Sequence, residues 1–123
     1  MRLFSWFGAA LLAASLTPHA ASAQAAKFDG TWSVLVVTEK GGCDQAYRYP
    51  VVIKGGDVRY GGPEAFDVSG KVGANGAINA RIARGNAGAN VNGRLAGNLG
   101  SGTWVASSGS GACSGRWEAE KRS

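Results

Sequence analysis

From Gln24 to the C-terminus, glycine interrupts the chain about every ten residues, and the runs between the interruptions alternate apolar with polar side chains. A period of two puts one class of side chain on each face of an extended strand, while clusters of Gly, Asn, Ser and Pro supply tight turns. Short runs at such spacing specify an all-β sandwich or barrel. Eight strands are predicted: Asp29 to Thr38, Tyr47 to Ile53, Val58 to Tyr60, Ala65 to Val72, Ala77 to Ala83, Ala89 to Leu95, Thr103 to Ala106 and Cys113 to Lys121. No segment carries the apolar period of a helix.

The alternation also assigns faces. Trp32, Val34 and Val36 lie together, as do Tyr47, Tyr49 and Val51, then Phe66 with Val68, Ile78 with Ile82, and Trp117 with Ala119. Arg48, Asp67, Asn79, Arg81, Asn92, Arg94, Arg116 and Glu118 occupy the opposite face. Short connections favour an antiparallel up-and-down meander, and eight strands with one polar face can close into a small barrel that has no free edge.

Residues 1–23 have a different composition. Arg2 is followed by an apolar run from Leu3 to Leu16 and then by Ala21-Ser22-Ala23, the pattern of a secretory signal peptide with its cleavage site. The run is shorter than the roughly 20 residues a bilayer requires. Cleavage would leave residues 24–123 as a single β-barrel domain, without a transmembrane anchor, in the periplasm or outside the cell. That part keeps 12 of the 13 Lys and Arg against 8 Asp and Glu, a net charge of +4, and loses the one His. Its two cysteines, Cys43 and Cys113, read as a disulfide in an oxidising compartment. In an eight-strand meander, Cys43 before the second strand and Cys113 at the start of the eighth lie at the same rim.

"FDGTW" at the start of the first strand and "GRWEAEKR" at the end of the last resemble the calycin superfamily of lipocalins, fatty-acid-binding proteins and avidins. That resemblance implies that Trp32 sits in the floor of the barrel with a basic residue packed over it. If Thr38 lies near Cys113, Trp32 faces Ala119, and Lys121, beside Gly30, is the basic partner, with Arg122 the alternative. Taken with "YRYPV" and "CSGRW", the whole also resembles a group of small exported alphaproteobacterial proteins, mostly of unassigned function, some of them linked to haem utilisation or adhesion.

The inventory of reactive groups points away from catalysis. Without His or a free thiol, and with Asp29, Glu39, Asp44, Asp57, Glu64 and Asp67 in turns or on the wet face, no nucleophile has a visible base. The chain is therefore expected not to be an enzyme, and to need no metal or cofactor. Haem would have to be ligated by Tyr47, Tyr49 or Tyr60, which otherwise fill the core of a glycine-rich barrel. The charge is dispersed, so no nucleic-acid partner is expected.

Two candidate binding features remain. Trp32, Tyr47, Tyr49, Phe66, Trp104 and Trp117 are expected to line a cavity for a small apolar or amphipathic ligand. On the outer face, a turn near Ala87-Gly88 would set Arg81 opposite Arg94, flanked by Asn79 and Asn92, as an anion patch; a solvated pair is the alternative, because like charges directly opposite repel. The stretch from Gly73 to Gly102 is dominated by Gly, Ala and Asn, so one wall of the barrel is thin, either bordering a cavity or collapsing onto the aromatics. The other class of function is a protein-binding module: an envelope adhesin, or an inhibitor resembling the bacterial metalloprotease inhibitors, acting through an arm at Gln24 to Lys27 and the rim loops.

Overall fold

The computed structural model describes residues 26–123. The signal peptide expected over residues 1–23 lies outside the described residues. Eight strands follow in order: β1 (Gly30–Lys40), β2 (Ala46–Lys54), β3 (Asp57–Tyr60), β4 (Asp67–Val72), β5 (Ala77–Arg84), β6 (Ala87–Ala96), β7 (Leu99–Ser108) and β8 (Gly111–Lys121). Each pairs antiparallel with the next and β8 pairs with β1, closing the barrel. The expected all-β meander and its closure are therefore observed. Among the described residues, no helix is long and apolar enough to cross a membrane.

Cys43 and Cys113 form the expected disulfide, with Cα atoms 6.2 Å apart. It ties the loop between β1 and β2 to the start of β8, at the end of the barrel where β1 finishes. A disulfide and the lack of a membrane-crossing helix among the described residues are compatible with an extracellular or periplasmic location.

The opposite end is closed. Phe28, Trp32, Ile53, Val72, Leu95 and Ala119 are buried there. The Trp32 indole N–H donates to the Phe28 carbonyl at 2.9 Å, which holds Phe28 under the barrel. Gly30 sits at φ +143°, a conformation that side chains disfavour, and a Cβ there would meet the Lys121 stem and the Ser123 carbonyl. The glycine of the Gly-X-Trp motif is thus required where the start of β1 crosses the C-terminal residues. Asp29 adds a second tie, accepting the Gly55 and Gly56 amides of the β2–β3 turn at 2.6 and 3.2 Å. Asp29→Ala leaves both amides without their charged acceptor and is expected to cost about 1–2 kcal/mol in urea denaturation.

Two registers differ from expectation. Trp32 is opposite Lys121, and Ala119 is opposite Val34, because Thr38 pairs with Gly115 rather than lying near Cys113. The β5–β6 turn is Gly85-Asn86, with Arg84 opposite Ala87. Strand β7 also begins four residues earlier than expected, at Leu99.

The glycines of the thin wall have a packing role. Trp117 is opposite Gly102, and Trp104 is opposite Gly115. A Cβ on Gly93 or Gly102 would run into the Trp117 indole, and one on Gly100 into Leu95; the indole lies across β7 and donates its N–H to the Asn92 carbonyl of β6 at 3.1 Å. Trp104 likewise reaches the Arg116 and Val37 carbonyls at 3.1 and 3.2 Å. Gly102→Ala forces the Trp117 ring or the β6 backbone to shift, with an expected loss of about 1–3 kcal/mol and a changed tryptophan emission spectrum.

Candidate functional site

Above the floor the barrel is hollow and open at the disulfide end. The cavity has a volume of about 340 Å³. Inward positions of the strands line its lower part: Val34 and Val36 from β1, Val51 from β2, Ile78 and Ala80 from β5, Val91 from β6. Trp104 and Trp117 border it on the β7–β8 side. Only the lower part of the thin wall collapses onto an indole; its upper part, at Ala87, Gly88 and Ala89, stays against the cavity.

The mouth is aromatic on one side for a reason of strand geometry. Strand β3 has four residues, and its pairing with β4 consists of Asp57 opposite Lys71. Beyond Tyr60 no β3 backbone continues the wall, and rings take its place. Tyr49 and Phe66 meet edge-on at 5.7 Å, Tyr60 and Phe66 at 5.0 Å, and Tyr47 leans on Tyr49 at 4.9 Å. The Arg84 guanidinium lies over the Phe66 ring at 4.9 Å. Edge-to-face and cation–ring contacts of this kind add about 0.5–1.5 kcal/mol each to the area they bury.

The Tyr60 hydroxyl donates to Glu64, fastening the loop between β3 and β4. This bond pushes the phenol up to about 12, with burial and the Glu64 charge adding to it, and holds the Glu64 carboxyl below its ordinary range. The stabilisation from Tyr60 is complete below the ordinary tyrosine pKa near 10 and is lost as pH rises through about 12. That from Glu64 is present above the ordinary glutamate range and is lost as the pH falls through its lowered value. Phenolate absorbance is expected to show one tyrosine ionising near 12, and Glu64→Gln to bring it down. For Tyr49, burial raises the phenol, Tyr47, Asp44 and Glu64 raise it further, and Arg84 opposes them.

Of the six side chains expected to line a cavity, Tyr47, Tyr49, Phe66, Trp104 and Trp117 do so. Trp32 does not: it lies beneath the cavity in the floor and is 1% exposed. Lys121 stands beside Trp32 in the register, but among the described residues the cation–ring contacts are Lys27 with Phe28 and Arg84 with Phe66. The Lys121 stem passes over Gly30 instead.

Arg81 and Arg94 are not opposite one another. Arg81 pairs with Asn90, donating to its side-chain oxygen at 2.8 Å, and Arg94 pairs with Ala77. The β5–β6 turn falls earlier than Ala87-Gly88, which moves the partners four positions apart. Tyr60 and Arg84 belong to the mouth although neither was among the expected lining residues. The signal for Arg84 was the alternation Ile78, Ala80, Ile82 carried one residue beyond the expected end of the strand.

No protein-family model, curated protein or solved structure matches this chain.

Proposed function

We infer that the protein is a calycin-like, exported, non-enzymatic binding module whose barrel takes up a small apolar or amphipathic molecule. The observation carrying this reading is the open 340 Å³ cavity, walled by aliphatic and aromatic side chains within a closed barrel. Its volume is at the lower end of the range for small-molecule sites, about 300–1,000 Å³. The leader-like segment at residues 1–23 and the disulfide support export. The alternative of an inhibitor acting through an arm before the barrel gains less support, because Phe28, the residue that follows the arm, is held at the closed end, away from the mouth loops.

Titration with the uncharged fluorophore N-phenyl-1-naphthylamine tests the reading. Saturable binding of one molecule per chain is expected, weakened at least tenfold by Ala106→Phe, which projects a ring into the cavity. That loss is about 1.4 kcal/mol or more. Absence of saturable binding, or binding indifferent to Ala106→Phe, contradicts the reading.

A further inference from the structure

The mouth carries one charge of each sign among the residues that line the cavity, Arg84 and Asp44. They differ in how they are held. Arg84 occupies an inward position at the end of β5, and its guanidinium is braced against the Phe66 ring at 4.9 Å. Among the described residues, no carboxylate lies within ion-pair distance of it. Glu64, the nearby acid, accepts from Tyr60 and is stabilised in its charged form by Arg84 from beyond ion-pair distance, but it is not part of the cavity lining. Both side chains are exposed to solvent, but Asp44 lies in the loop before β2 rather than on a strand that walls the cavity.

The geometry points to a ligand that carries a carboxylate: its apolar body fills the cavity, and its anionic end emerges at the mouth against Arg84. This rests on the carrier reading above and specifies the chemical class of its cargo. A guanidinium offers two parallel N–H donors to a carboxylate, and the ring contact fixes its plane, so little freedom is lost when the pair forms. A ligand ammonium would meet a like charge at the same place. The cavity also sets the size: at the packing density of protein interiors, 340 Å³ accommodates roughly 250 Å³ of ligand. A short aliphatic or small aromatic acid fits, whereas a long chain would protrude into water.

Calorimetric titration of the oxidised protein with decanoate, decan-1-ol and decylamine separates the possibilities, with hexadecanoate as the test of length. Decanoate is expected to bind about fivefold more tightly than the alcohol, the increment of an ion pair at a solvent-exposed mouth. Decylamine is expected to bind most weakly. Arg84→Gln should abolish the preference for decanoate while leaving decan-1-ol unchanged, and hexadecanoate should gain little over decanoate. If decan-1-ol binds as well as decanoate, or decylamine binds best, or the preference survives Arg84→Gln, the carboxylate inference is overturned and the carrier reading stands. If none of the probes binds, the carrier reading itself fails.

Discussion

Replacing Trp32 by alanine is expected to lower the stability of the barrel by about 3–5 kcal/mol, the range for removing a fully buried large aromatic side chain. Trp32 is the largest side chain that is fully enclosed, and its indole joins three parts of the chain. It stands between Val51 of β2 and Lys121 of β8, and its N–H holds the Phe28 carbonyl. Truncation therefore opens the floor and releases Phe28 together. For a domain of this size, such a loss lowers the melting temperature by roughly 15 °C or more. Trp32→Phe retains much of the apolar volume and loses the hydrogen bond, so a smaller loss of about 1–2 kcal/mol is expected. If Trp32→Ala melts like the parent, Trp32 does not hold the floor together.

The second large effect belongs to the other end. Reducing the Cys43–Cys113 disulfide, or replacing both cysteines by serine, is expected to cost about 4 kcal/mol in the chain-entropy model, because the bridge closes a loop of 70 residues in the unfolded chain. Melting with and without reductant measures it. Floor and bridge lie at opposite ends of the barrel without shared partners, so the two losses should add. Their sum is comparable to the whole stability of an ordinary domain, and a reduced Trp32→Ala protein is expected to be unfolded at room temperature. A folded double variant would show that the two ends are coupled or that one of them contributes little.

The faces of the barrel were legible in the sequence and its registers were not, for one physical reason. Side chains alternate with a period of two, so a pairing displaced by an even number of residues keeps every side chain on its face. Thr38 placed near Cys113 instead of opposite Gly115 is a displacement of two, and Arg81 placed opposite Arg94 instead of Asn90 is a displacement of four. Both preserve the inward positions of Trp32, Ile82 and Trp117. In the β5–β6 hairpin only the turn distinguishes such registers, and "RGNAG" contains two glycines about which it can fold; β1 and β8, the first and last strands, have no turn between them to set theirs. The chain turns at Gly85-Asn86, with Gly85 at φ +60°.

Composition concealed the start of β7 in a similar way. "AGNLGSG" has the look of a loop, yet Gly100 and Gly102 are strand residues whose missing side chains leave room for Leu95 and Trp117. A glycine facing a tryptophan across two strands can be recognised only once the register is known. The mouth was legible in part: Tyr47, Tyr49 and Phe66 follow from the alternation. The ring cluster that replaces the β3–β4 wall follows from where β3 stops, which the pattern "DVRYGGPEAF" does not reveal.

The central claim is that the hollow of this barrel holds a small molecule. Native mass spectrometry of the protein isolated from the cells that make it measures this directly. The account predicts a mass above that of the oxidised chain, with the excess released as a small apolar acid on denaturation. A chain that emerges bare, at the mass of the disulfide-bonded polypeptide alone, contradicts it.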